Sequence, residues 1–261
     1  MYNEIKRCGD IELGIPTQCI KKANVYKMNQ SIVSNLLLKI NSKLGGQNVL
    51  VENISSSVNL KKTIVIGADV AHPPPTEKSS ASVAALVGSM DSNFIKHYAT
   101  VRVQQRYRDE IIKDVFEMLK EILLEYEKVN GFLPNEIIIY RDGVSEGQFS
   151  QVVYFEIHTM KHGFLMFRPG YNPKITFIVV QKRHHTKFVP DDNRVGVGKN
   201  KNVPPGTTVD TTVVNQKDFD FYLCSHEAIQ VFKSSKLNNI LSKHNLFSRE
   251  LQDRHIIMVT F

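Results

Sequence analysis

Short β-branched runs and longer stretches of helical spacing alternate along this chain, and their order predicts an α/β fold. Two runs, Thr63-Ile64-Val65-Ile66-Gly67-Ala68-Asp69 and Ile137-Ile138-Ile139-Tyr140-Arg141-Asp142, are apolar strands that each end in one carboxylate. Further strands are expected over 81–90, over 97–103 with strong alternation, and over 174–181. Residues 110–129 carry Ile111, Ile112, Val115, Phe116, Leu119, Ile122, Leu123 and Tyr126 at helical spacing, and Gly131 stops them. A second helix is expected over 146–160. Upstream, 29–44 reads as a helix with Ile32, Val33, Leu36, Leu37, Ile40 and Leu44 on one face and Asn29 or Ser31 as its cap. A polar connection through Glu52 to Ser57 separates that helix from the first strand, and a Gly/Asn/Pro-rich loop covers 191–208. Three strands, a helix, a strand, a helix and a strand make a mixed order, not a repeating βαβ one.

Composition adds a partner class. Lysine and arginine number 33 against 26 aspartates and glutamates, a net charge of +7. Such an excess suits nucleic acid or anionic lipid. No apolar run approaches the roughly 18 residues that span a bilayer, and the first residues lack a secretory pattern. The three cysteines, Cys8, Cys19 and Cys224, are scattered and off metal-ligand spacing, which favours a reducing, intracellular compartment.

Carboxylates at strand tips stand where sheets bind ligands. Asp69, Asp142 and Glu110, expected in the first turn of the long helix, could together hold two magnesium ions about 4 Å apart, an arrangement suited to phosphodiester chemistry. Structural readings stand beside that one. Asp142-Gly143 is a turn dipeptide, Glu110 would complement the positive end of its helix, and Asp69 could cap the turn into His72-Pro73-Pro74-Pro75. Lys39 and Lys43 project from one helix face and, with Tyr2, Lys6 and Gln18, could surround a phosphate; a solvated helix face is the plainer account. Lys182, Arg183, His184 and Lys187 follow a strand and suit backbone phosphate contacts, or form an ordinary polar loop. The paired histidines there lack partners at zinc spacing.

Taken together these motifs resemble the C-terminal part of a eukaryotic Argonaute. The segments carrying the likeness are Ile66-Gly67-Ala68-Asp69-Val70-Ala71-His72-Pro73-Pro74, Tyr140-Arg141-Asp142-Gly143-Val144-Ser145-Glu146-Gly147-Gln148-Phe149 and Gln181-Lys182-Arg183-His184-His185-Thr186. Pro205-Gly206-Thr207-Thr208-Val209-Asp210 and Asp220-Phe221-Tyr222-Leu223-Cys224-Ser225-His226 follow in the family's order. Upstream, Ile5-Lys6-Arg7, Thr17-Gln18-Cys19 and Leu38-Lys39-Ile40-Asn41-Ser42-Lys43-Leu44-Gly45-Gly46 are similar to the end of the MID domain.

The resemblance implies an RNase H-like PIWI fold over 59–261, with a mixed central sheet and flanking helices, preceded by a partial MID domain over 1–58. It implies a small guide RNA, a complementary target RNA, proteins of a silencing complex, and a home in the cytoplasm with the nucleus as a second compartment. Asp69, Glu110 and Asp142 fall on the family's catalytic carboxylates, with Asp69 and Asp142 as ligands of Mg2+ or Mn2+. Tyr2, Lys6, Gln18, Lys39 and Lys43 fall on the pocket for the guide's 5′ phosphate. The stretch Arg106-Tyr107-Arg108-Asp109 is one residue longer than the family's spacing, so Asp109 competes with Glu110. Met1 falls inside the MID-like part, so the likeness does not extend to the N-terminal and PAZ domains. Past Gln230 the family's pattern lapses at Val231-Phe232-Lys233-Ser234-Ser235, and the PIWI part is expected to be truncated at its C-terminus. The family's fourth catalytic group, a histidine, belongs near this end; His255 is the candidate and His244 the second choice. Two functions follow: a magnesium-dependent endoribonuclease that slices guide-paired RNA, if the fourth ligand is present, or a catalytically inactive guide-binding module. An unrelated RNase H-like nuclease, such as a transposase, fits the basic pocket and the motif order less well.

Overall fold

The computed structural model describes residues 1–50, 62–76, 80–104, 108–181, 186, 188–192, 194–198, 201–214, 220–225 and 255–256. The chain divides into two compact units, Met1–Val58 and Asn59–Phe261.

The first unit is helical. Helix α1 (Tyr2–Lys6) runs into a wider π-helical turn, Arg7–Leu13, and is followed by α2 (Lys22–Tyr26) and α3 (Gln30–Lys43). Asn29 caps α3: its Oδ1 accepts from the Ile32 N–H at 3.0 Å, which satisfies one of the free donors of the first turn. Ser31 is inside the helix. Of the expected apolar face, Ile32, Val33, Leu36 and Ile40 are half-buried, whereas Leu37 and Leu44 are 59% and 72% exposed.

The second unit is built on a six-stranded sheet of order β3-β2-β1-β4-β5-β8. Its strands are β1 (Thr63–Ala71), β2 (Val83–Ser89), β3 (His97–Val103), β4 (Glu136–Asp142), β5 (Lys174–Gln181) and β8 (His255–Ile256). Strands β1, β4 and β5 are parallel neighbours, while β2, β3 and β8 run antiparallel to theirs. Two-residue strands β6 (Thr208–Val209) and β7 (Tyr222–Leu223) pair separately. The mixed sheet and flanking helices expected from the sequence are therefore present.

Helices α4 (Val115–Asn130) and α5 (Phe149–Phe167) supply one side of the core. Ile64, Ile66, Leu86, Ile137, Ile139 and Phe177 from the sheet pack with Leu119, Ile122, Leu123 and Met160 from the helices, all nearly inaccessible to water. At roughly 1.5–3 kcal/mol per fully buried aliphatic or aromatic side chain, this is the main stabilising element of the unit. The two helices meet at Gly163 of α5, where an added Cβ would overlap the Phe116 ring of α4. That ring is in turn fixed edge-on against Phe164 and Phe167, with centroids 5.6 and 6.4 Å away.

Two helix boundaries differ from expectation. Helix α4 begins at Val115, not at 110, so Glu110 lies outside it, in the segment after β3. Ile111 and Ile112 mimic helical spacing because both pack into the same core, Ile112 being 1% exposed. A 3-10 turn, Glu146–Gln148, precedes α5, which then runs to Phe167 because Gly163 and Phe164 extend its buried stripe. Among the described residues no helix is long and apolar enough to cross a membrane.

Candidate functional site

Strand register decides where the aspartates stand. Ala68 of β1 pairs with Arg141 of β4 in parallel, so the next residues, Asp69 and Asp142, are neighbours at the sheet's C-terminal edge. Successive side chains alternate between faces. Ala68 and Arg141 are buried on the helix-covered side, which places both aspartates together on the other side, Asp69 exposed and Asp142 half-buried.

Glu110 reaches the same edge from the segment before α4. A Cβ built on Gly143, which has φ 88°, would lie 3.4 Å from both Asp69 Oδ1 and Glu110 Oε1. The Glu110 carboxylate is held on both oxygens: His72 Nε2 stands 2.6 Å from Oε2, and Arg141 Nη1 donates to Oε1 at 3.3 Å. Arg141 Nη2 also donates to the Glu110 carbonyl oxygen. His72 Nδ1 lies 2.8 Å from Ser82 Oγ, which already accepts from the Arg108 N–H at 3.1 Å. The tautomer satisfying all these groups has the Ser82 hydroxyl donating to Nδ1 and Nε2–H donating to Glu110. Asp109 is turned to other work, accepting from the Ile111 N–H at 3.3 Å and pairing with Lys113 at 3.1 Å. Glu110, not Asp109, faces the aspartates.

Behind this edge lies an ion pair that is fully buried. Arg141 is 0% exposed and Glu156, from α5, is 1% exposed. Arg141 Nε donates to both Glu156 oxygens at 3.3 Å, and the Ile112 N–H donates to Glu156 Oε1 at 3.0 Å. Burial pushes the Glu156 carboxyl up from its ordinary range, against the downward pull of Arg141 and of the Ile112 N–H.

Among the described residues no group of three His, Cys, Asp or Glu side chains is arranged to hold a metal alone. The donor chemistry fits a magnesium ion nonetheless, because Mg2+ is commonly held by one or two carboxylates and completed by water and phosphate oxygens. The backbone of His255 reaches the same sheet, pairing with Gln181 one residue past Val180, itself the partner of Asp142. Its side chain lies outside the described residues, as do His244, Lys182, Arg183, His184 and Lys187.

In the first unit three expected residues meet around Thr17. Lys6 Nζ donates to the Thr17 carbonyl oxygen and to Oγ1, both at 2.8 Å, and Lys43 Nζ donates to the same carbonyl at 2.6 Å and to Gln18 Oε1 at 2.7 Å. Asp10, 3.9 Å from Lys6, is a partial counter-charge. Two ammonium groups on one oxygen make a focus of positive potential. Tyr2 and Lys39 sit one helical turn before Lys6 and Lys43; among the described residues no hydrogen bond or ion pair joins them to the cluster.

The Piwi domain family model matches residues 1–257. The chain belongs to the Piwi domain family. It is similar to the structure of Kluyveromyces polysporus Argonaute with a guide RNA, at 29% identity and a TM-score of 0.78, covering 100% of this chain and 30% of that one. The C-terminal lobe of a budding yeast Argonaute is 31% identical with a TM-score of 0.79, covering 99% of this chain and 50% of that one. Drosophila Piwi, at 24% identity, shares the fold with a TM-score of 0.72, over 100% of this chain and 31% of its own. This chain thus spans half or less of the length of these relatives.

Sequence reasoning missed His72, Ser82, Arg141 and Glu156 as partners of the site. A signal was there for two of them. Arg141 occupies a position of β4 whose parity is otherwise apolar, and Glu156 interrupts the stripe Val152, Val153, Ile157, Met160 of α5. A charge on each of two buried faces calls for a partner on the other.

Proposed function

We propose that this Piwi-family chain binds a small guide RNA through its 5′ phosphate and cleaves the complementary target RNA in a divalent-metal-dependent reaction. The observation that carries the reading is the pairing of Asp69 and Asp142 on one face at adjacent strand tips, with Glu110 fixed beside Asp69. Asp69 and Asp142 would hold Mg2+ or Mn2+. Such an ion lowers the pKa of bound water and stabilises charge on a leaving oxygen. Glu110, oriented by His72 and Arg141, offers a fixed carboxylate oxygen on the reacting side, and His255 is proposed as the fourth group. Lys6, Gln18 and Lys43, with Tyr2 and Lys39 on the adjoining turns, would receive the guide's 5′ phosphate. Lys182, Arg183, His184 and Lys187 would track nucleic-acid backbone. Partner proteins of a silencing complex, and action in the cytoplasm or nucleus, belong to the same proposal.

The test is target cleavage by the chain loaded with a 5′-phosphorylated guide, followed against magnesium concentration. One product set by the guide's register is expected, lost with a chelator and lost in Asp69→Ala. Guide binding without any product at saturating magnesium would instead establish a non-cleaving guide binder.

A further inference from the structure

Glu156 is a buried carboxylate with no part in the chemistry above. It lies mid-way along α5 on a stripe that is otherwise apolar, and it is 1% exposed. An ion pair in such a place is poor value for stability, since apolar residues of similar volume commonly do as well or better. What distinguishes this one is where its bonds lead. One goes to the Ile112 N–H, two residues beyond Glu110, and the others to Arg141 Nε. Arg141 also donates to the Glu110 carboxylate, the Glu110 carbonyl and, at 2.6 Å, the Asp142 carbonyl.

We propose that Glu156 is a positioning residue: from behind the sheet it clamps both the 110–112 segment and Arg141, and so sets where the Glu110 carboxylate stands beside Asp69. The proposal rests on the reading of Asp69, Glu110 and Asp142 as the reacting site. Glu110 has no helix to hold it, since α4 begins only at Val115. Its place is fixed by side-chain bonds, and Glu156 is common to two of the anchors. In Glu156→Gln one oxygen remains for the Arg141 Nε–H and the Ile112 N–H, and the amide nitrogen sets a donor against a donor where the second oxygen stood. The guanidinium, no longer held by a charge, turns toward the Glu110 carboxylate, and the Ile112 bond weakens. A displacement of about 1 Å at a reacting group can cost about 100-fold in rate.

The experiment compares the full chain with Glu156→Gln, Glu156→Asp and the double variant R141M/E156M, each loaded with a 5′-phosphorylated guide. Three quantities are read: guide affinity, single-turnover target cleavage, and amide hydrogen exchange over 110–112. Glu156→Gln is expected to bind guide as the parent does, to cleave about 100-fold more slowly, and to exchange the Ile112 amide at least about tenfold faster, with α4 amides still protected. Glu156→Asp, which keeps the charge on a shorter stem, is expected to recover part of both losses. Should Glu156→Gln fail to fold, the double variant decides, because it leaves no lone buried charge; faster exchange at Ile112 with guide binding intact is then expected. Parental exchange and parental cleavage in a folded Glu156→Gln would overturn the proposal. A parent chain that never cleaves, but whose Ile112 amide responds to these substitutions, refutes the nuclease reading and supports the clamp. Cleavage that Asp69→Ala abolishes and Glu156→Gln leaves untouched does the reverse.

Discussion

Lys43→Ala probes the cluster around Thr17 most sharply. Lys6 Nζ and Lys43 Nζ reach the same carbonyl oxygen from 2.8 and 2.6 Å, so their charges are close neighbours. At roughly 5 Å, two unit charges interact by about 1 kcal/mol in bulk water and about 3 kcal/mol at an effective dielectric near 20. A 5′ phosphate entering the cluster gains an attraction of that order from each lysine. Lys43 is exposed, so the lower part of the range applies, and about 1.4 kcal/mol corresponds to a factor of ten. Lys43→Ala is therefore expected to weaken binding of a 5′-phosphorylated guide about tenfold, and Lys6→Ala with Lys43→Ala about 100-fold. A 5′-hydroxyl guide should bind all three proteins alike. Fluorescence anisotropy with both guides measures this, and the dependence on salt should flatten in the double variant as phosphate contacts are lost. Equal losses for the two guides would refute the reasoning, since the lysines would then serve only as a general basic surface.

Gly163→Ala forces a methyl group into the Phe116 ring, a strain of about 1–3 kcal/mol that outweighs the roughly 1 kcal/mol gained in helix propensity. Thermal unfolding should fall by a few degrees, while Gly147→Ala, with open space at its Cβ, should be neutral or slightly stabilising; equal melting temperatures would contradict the packing. Arg168 grips the Glu127 carboxylate at 2.6 and 3.1 Å, and its hydrogen bonds hold that carboxyl below the ordinary 4.5. A lowered folded-state pKa gives stability that is present above 4.5 and fades as pH falls through the folded value. Melting temperatures of the parent and Arg168→Met should accordingly differ near neutral pH and converge in acid; a constant gap would exclude the pair as the cause.

Most of the sheet was legible because its strands are short, β-branched and bounded by turn residues. Strands β3 and β5 match their expected spans, and β1 and β4 extend theirs by only one or two residues. What failed was local sequence read without its tertiary partners. The segment from Glu110 to Asp114 has the spacing of a helix, yet Arg141 and Glu156 bind its backbone and keep it out of α4. The two-residue strands β6 and β7 are too short to show alternation, and the π-helical turn after α1 has no apolar period. At the site, Asp69 and Asp142 could be read from strand ends, whereas His72 and Ser82 could not. The bonds of His72 to Glu110 and to Ser82 join residues 38 and 10 positions apart, and nothing in their spacing marks the contact.

Divalent-ion binding itself is the most direct test of the two neighbouring aspartates. Titration of the guide-loaded chain with Mn2+, read by electron paramagnetic resonance of the free ion, should reveal a bound fraction that Mg2+ displaces. Asp69→Ala and Asp142→Ala should each remove most of it, with guide affinity preserved. Undiminished Mn2+ uptake in both variants would mean that the strand tips do not share an ion.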